Sequence, residues 1–173
     1  MATCSVELFT PRTPQGIEEL SSRIEEFAKR GPSFIGINGT DASSALAIAE
    51  GIRTRHCIRP QLHVQRTGST QASVTALLDA ALKVGTRDVL LLGGNPETLN
   101  TASSKLPGAF GSTAEMVAFV KGTYGDQLRV AVCGFPCSAA GEAGEYAADL
   151  AELVKQVAAG AESVVCLPTF DAR

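Results

Sequence analysis

Tryptophan is absent from the 173 residues, and tyrosine and histidine occur only twice each. With seven Phe and two Tyr as the whole aromatic set, the chain offers no stacking platform for single-stranded nucleic acid. Basic charge is not in excess either. Fifteen Lys and Arg against 18 Asp and Glu leave a formal net charge of −3, which argues against a nucleic-acid or anionic-membrane surface. No apolar run reaches the roughly 18 residues of a membrane span. An apolar strand begins almost at once, so neither a signal peptide nor a basic presequence is expected. The five cysteines are an odd number, widely spread, so a reducing compartment is the simplest expectation. Cys4, Cys133 and Cys166 stand inside apolar runs and are expected to pack as small hydrophobes. Cys133 and Cys137 have no histidine nearby, which favours packing or a loop thiol over a metal or redox pair.

What is present is an ordinary globular composition, 45% apolar and 19% charged, and a single domain over residues 1–173 is expected. Short β-branched runs alternate with longer amphipathic stretches from end to end. A strand over Cys4–Phe9 precedes a helix capped by Thr13 with Pro14 at its first position. Ile17, Leu20, Ile24 and Phe27 form the apolar face of that helix. A second strand, Ser33–Ile37, leads through Asn38 and Gly39 to a helix from about Asp41. The third strand is about Gln61–Gln65, with a helix opened by Ser69 or Thr70 that turns Val74, Leu77, Leu78 and Leu82 inward. The fourth, Asp88–Leu92, is almost wholly apolar, as a strand covered on both faces should be. The loop from Gly93 to Gly111 is of a length expected to be either functional or disordered. Ser112 to Glu115 reads as a capping box. A strand at Leu128–Cys133, a helix from about Gly144 to Ala159 and a strand at Glu162–Leu167 complete the order. Leu150, Leu153, Val154 and Val157 are the expected core stripe of the last helix.

Strict βα alternation implies parallel strands with right-handed crossovers. Two architectures fit: a doubly wound open sheet, or about six strands and five helices of a partial (β/α)8 barrel. A complete barrel takes roughly 250 residues. Both place ligands at the carboxyl ends of strands, nominating Asn38-Gly39-Thr40, Gln65-Arg66, Gly93-Gly94-Asn95, Phe135 to Cys137 and Leu167 to Thr169.

Val6-Glu7-Leu8-Phe9-Thr10-Pro11-Arg12 resembles the F-E-F-F-P-P-K/R opening strand of the methylenetetrahydrofolate reductase family. The likeness continues in order. Pro32 to Gly39 lies where the family has P-x-F-V-S-V-T-Y, and Pro60 to Gln65 where a strand ends H-L-T-C. Val89 to Pro96 lies at I-L-A-L-R-G-D-P, and Val130 to Pro136 resembles V-A-G-Y-P. Ala148-Asp149-Leu150, Val157 to Ala161 and Thr169-Phe170-Asp171 resemble A-D-L, V-D-A-G-A and F-F-D. The resemblance covers almost the whole chain, as the N-terminal two-thirds of the family's barrel, so it selects the partial TIM-like barrel.

The resemblance implies FAD as cofactor and a reduced nicotinamide, NADH or NADPH, as hydride source for methylenetetrahydrofolate. Such chemistry needs a proton donor and groups that tune the flavin and orient the pterin. Glu7 matches the family's proton-donating glutamate and His63 a histidine that contacts the flavin. Asp149 and Lys155 match positions holding the polar portion of FAD. Asn38, Gly94, Asn95 and Phe135 fall at further cofactor-binding positions. The departures are as informative. The arginine and aspartate of R-G-D become Gly93 and Asn95, the threonine and tyrosine after the second strand become Asn38 and Gly39, and the Y-P tyrosine becomes Phe135. A lysine of the last helix becomes Gln156, and a glutamine after the sixth strand becomes Leu167. The expectation is a degenerate family member with an eroded flavin and folate site, a structural or binding subunit without turnover. A protein partner or second copy would cover the open barrel edge, folate is a possible ligand, and the setting is the cytoplasm or the mitochondrial matrix. An active FAD-dependent reductase is the alternative.

Overall fold

The computed structural model describes residues 3–39, 41–93, 106–134 and 143–166. Six strands and five α-helices alternate among them. These are β1 (Val6–Phe9), α1 (Pro14–Ala28), β2 (Phe34–Asn38), α2 (Ala42–His56), β3 (Arg59–Gln65), α3 (Gln71–Lys83), β4 (Asp88–Leu92), α4 (Thr113–Tyr124), β5 (Arg129–Gly134), α5 (Ala143–Ala158) and β6 (Ser163–Cys166). The strands are ordered β1-β2-β3-β4-β5-β6 in one sheet, and the pairs β1–β2, β2–β3 and β5–β6 are parallel. A doubly wound sheet reverses its strand order at a switch point; this one never does. Sequential order with crossovers of one hand is the topology of the (β/α)8 barrel, so the fold is a partial TIM-like barrel.

The helix starts follow from local chemistry. Gly16 N donates to the Thr13 hydroxyl at 3.1 Å, Ser44 N to the Asp41 carboxylate at 2.8 Å and Glu115 N to the Ser112 hydroxyl at 3.1 Å, each satisfying an amide that the first turn leaves unpaired. Hydrogen bonds from Ser44 hold the Asp41 carboxyl below the usual range. The Ser112–Glu115 box is displaced by one residue from its usual form, because the Glu115 carboxylate accepts from Gly111 N at 2.7 Å.

The chain forms two compact units, one of Met1–His63 with Thr75–Asp88 and one of Val64–Val74 with Val89–Arg173. In the first, α1 packs on α2 and α2 on β2. The register aligns Val6 with Ile35 and Leu8 with Ile37, then Ile35 with Pro60 and Ile37 with Leu62. Leu8, Ile35, Ile37 and Leu62 are buried, as are Ala45, Ala49 and Ile52 of α2, so this face of the strands is the apolar one. Side chains alternate, which puts Glu7, Gly36, Gln61 and His63 on the opposite face. In the second unit, α4 packs on α5 and α5 on β5. Val89, Leu90, Leu91, Met116, Val117, Val120, Leu128, Val130 and Val132 are buried there.

Several expectations need correction. β3 begins at Arg59, two residues early, because Pro60 is tolerated next to the start of a strand. Cys4 and Cys166 are exposed instead of packed, since they flank or end the outermost strands, and Cys133 is half-buried. Ile17 is 46% exposed, leaving Ile24 as the buried anchor of α1. The stripe on α5 also faces outward: Leu150, Val154 and Val157 are 47%, 60% and 50% exposed. The helix is seated through Glu152, Leu153 and Gln156. Glu152 accepts from Ala114 N at 3.5 Å, Leu153 lies beside Gly134, and Gln156 is buried. The seated face is rotated by about one residue, roughly 100°, from the apolar stripe.

Candidate functional site

Three of the residues singled out in the sequence belong to the first unit, and the register brings two of them together. Glu7 stands opposite Gly36, and Gly36 opposite Gln61, across β1, β2 and β3. His63 lies two residues beyond Gln61, on the same face. Its Nδ1 is 3.5 Å from Glu7 Oε1; the imidazole is 4% exposed and the carboxylate 54%. The distance is within ion-pair reach, yet Nδ1 makes no hydrogen bond, because the approach is longer than an N–H···O bond. Burial pushes the His63 pKa down, and the Glu7 charge opposes that shift more weakly. Asn38 ends β2, half-buried, with its carbonyl accepting from Thr10 N at 2.9 Å.

His63 makes stability depend on pH. Its folded pKa lies below the ordinary value near 6.5, so the unfolded chain binds the proton more readily. The sign follows: the stability is fully present above about pH 6.5 and is lost as pH falls through the window toward the folded pKa. Urea midpoints should fall between pH 7.5 and pH 5.5, and His63→Gln should flatten that slope.

Asp149 and Lys155 belong to α5 of the second unit. Asp149 is exposed. Lys155 is 69% exposed and pairs with Glu152 at 3.7 Å. Six residues apart, the two project about 120° from each other around the helix. Gln156 is the inward polar group, with a buried Oε1 that has no partner. Gly94, Asn95, Phe135 and Leu167 lie outside the described residues, as do Pro136, Cys137 and Thr169.

Two departures have a structural counterpart. A Cβ placed on Gly39 would collide with the side chain of Thr10, on both its hydroxyl and its methyl. A Cβ on Gly93 would come 3.0 Å from Oγ1 of Thr113, itself buried. Gly39 thus stands where a neighbour takes up the room a larger side chain would need, whereas at Gly93 Thr113 would have to give by a few tenths of an ångström. For the polar portion of a flavin dinucleotide, the described α5 positions offer few fixed partners. A dinucleotide needs fixed donors and charges around its phosphates and ring. Of the α5 positions, one charge is exposed, one is tied to Glu152 and the buried one is a neutral amide.

Gly36 and Gln61 were not singled out from the sequence. The signal for Gly36 was in plain view: the family pattern carries a serine there, between two apolar residues. Gln61 is 8% exposed on the same face as His63, and nothing in its sequence surroundings marks it.

The family model described as methylenetetrahydrofolate reductase matches residues 1–172. Among curated relatives, "Methylenetetrahydrofolate reductase (NADH) 1" of Zea mays is 29% identical over 179 residues, which cover 96% of this chain and 30% of the relative. The protein of the same name from Arabidopsis thaliana is also 29% identical, with the same coverage. "Methylenetetrahydrofolate reductase 2" of Saccharomyces cerevisiae is 24% identical, covering 98% of this chain and 29% of its own. The chain therefore spans about 30% of the length of these relatives. Among solved structures, phosphoenolpyruvate phosphomutase from Streptomyces platensis subsp. rosaceus superposes with a TM-score of 0.60 at 13% identity, covering 96% of this chain and 60% of the other. A 2,3-dimethylmalate lyase superposes with a TM-score of 0.61 at 11% identity, covering 95% and 57%. At such identities these two speak for the fold alone.

Proposed function

The chain belongs to the methylenetetrahydrofolate reductase family, and from that premise we propose that it is a family domain with an eroded flavin and folate site, serving as a non-catalytic structural or binding subunit of a larger assembly. The observation that carries this reading is the room at Gly39, which the Thr10 side chain occupies. The family's tyrosine is absent there and Thr10 stands in the way of restoring it; at Gly93 the family's arginine is absent. Asn95, Phe135, Gln156 and Leu167 add further losses of charge or hydrogen-bonding capacity. Each lost contact weakens a bound cofactor by about 1–3 kcal/mol. Six losses at the lower figure amount to a weakening of about 10⁴-fold.

The partner side of the proposal rests on α5. Among the described residues none covers Leu150, Val154 and Val157, and Val164 of β6 is 40% exposed as well. A protein partner, a second copy of the chain or another part of a longer protein is the fitting occupant of such a surface. A reducing compartment, cytoplasm or mitochondrial matrix, fits free thiols at Cys4, Cys57 and Cys166. No helix among the described residues is long and apolar enough to cross a membrane.

One observation favours the second reading, an active FAD-dependent reductase drawing hydride from a nicotinamide. Glu7, the position of the family's proton donor, keeps its carboxylate beside His63 and open to solvent. Titrating the protein with FAD separates the two. The eroded site leaves flavin fluorescence unquenched at micromolar protein, whereas stoichiometric quenching there overturns the first reading in favour of the second.

A further inference from the structure

We propose that Glu7 and His63 form a proton-sharing pair, and that Gly36 is the positioning residue that makes the pair possible. The inference does not depend on whether flavin binds. It starts from an orphaned atom: His63 Nδ1 is buried without a hydrogen-bond partner, an arrangement that costs free energy unless another protonation state relieves it. Among the described residues, the group it faces at ion-pair distance is Glu7 Oε1, at 3.5 Å.

Gly36 lies between them. A Cβ on this residue would sit 2.9 Å from His63 Nε2, 3.6 Å from Cε1 and 3.8 Å from Glu7 Cγ. The imidazole therefore rests on the bare backbone of β2, in space that any other residue would claim. Glycine in a strand interior is intrinsically unfavourable, and close approach of another group is one reason to find it there. Here the approaching group is the imidazole ring.

The ionisable surroundings are sparse. Glu7 is the sole ionisable side chain of β1, and β2 carries none. On β3 the other charged residue is Arg59, four positions before His63. It is engaged with Asp88, the only ionisable residue of β4, at 3.9 Å and with the Ser33 carbonyl at 3.3 Å. Among the described residues, burial lowers the His63 pKa and the Glu7 charge raises it less.

The transfer is simple. A proton arrives from solvent at Glu7, half-exposed and free to swing inward. It passes from Oε1 to Nδ1 as the gap closes, and returns by the same path. One O–H bond breaks as one N–H bond forms, and nothing is oxidised or reduced. The protonated pair is held by a charge-assisted hydrogen bond, which satisfies the orphaned atom.

The protein has only two histidines, so imidazole proton resonances followed by NMR against pH report on His63 directly, with His56 as the internal reference. Glu7→Gln should move the His63 midpoint downward and leave His56 where it was. Gly36→Ala should do the same by displacing the ring. Alanine suits a strand interior better than glycine, so the fold is expected to survive, and the Glu7→Gln/Gly36→Ala double variant should add little to either single change. A His63 midpoint unmoved by Glu7→Gln overturns the pair, as does a His63 that stays neutral down to acid unfolding. A midpoint unmoved by Gly36→Ala overturns the positioning role.

Discussion

Ile37→Ala should destabilise the protein by about 2–5 kcal/mol. Ile37 is wholly buried in β2, with Leu8 and Leu62 as its neighbours across the register. Truncation removes apolar contacts and leaves a cavity between strands that cannot collapse without breaking their pairing. Domains of this kind have only about 5–15 kcal/mol in total. At this size each kcal/mol shifts the melting temperature by about 2–4 °C, so a loss of roughly 5–20 °C is expected by calorimetry or circular dichroism. Phe9 provides the contrast: it is larger and on the adjoining strand, but 69% exposed. Phe9→Ala should stay within about 0.5 kcal/mol of the parent. Equal effects of the two substitutions would contradict the burial pattern on which the fold description rests.

The second large effect concerns association. Leu150→Glu combined with Val154→Glu should leave the isolated fold nearly unchanged and abolish binding to whatever covers α5. Both positions are exposed, at 47% and 60%, and glutamate is as good a helix former as leucine and better than valine. Seated against an apolar partner, each of the two side chains would contribute about 1.5–3 kcal/mol. Replacing both with charges that must be desolvated reverses the sign of that contribution. A loss of at least about 10³-fold in affinity follows, read as a shift of the eluting species to the size of the single chain. An unchanged elution volume, with the melting temperature also unchanged, would remove this surface from the account.

The contrast between these predictions reflects what could be read from the sequence. Local signals were reliable. Thr13, Asp41 and Ser112 mark the starts of three helices because capping needs only a hydroxyl or carboxylate and the next few amides. β4 is recognisable because five residues, four of them apolar, suit a strand covered on both faces. The strand order could not be read this way, since a βα alternation serves either architecture, and only the pairing of successive strands decides. The α5 stripe misled for a related reason. Periodicity identifies an apolar face but not which neighbour is present to receive it, and α5 seats Leu153 and Gln156 instead. The site shows the same division. Glu7 and His63 were found one at a time by family resemblance, 56 positions apart in the chain. That they stand 3.5 Å apart depends on the register of two strand pairs and on a glycine whose importance is the absence of a side chain.

The family assignment and the proposed loss of catalysis meet at one property, whether the chain retains flavin. The most direct measurement is the absorbance spectrum from 300 to 550 nm across the size-exclusion peak of the purified, undenatured protein. The account predicts no flavin band near 450 nm, with protein eluting larger than one chain where its partner or second copy is present. A yellow peak of single-chain size, releasing stoichiometric flavin on denaturation, would contradict it and make the chain a working flavoprotein.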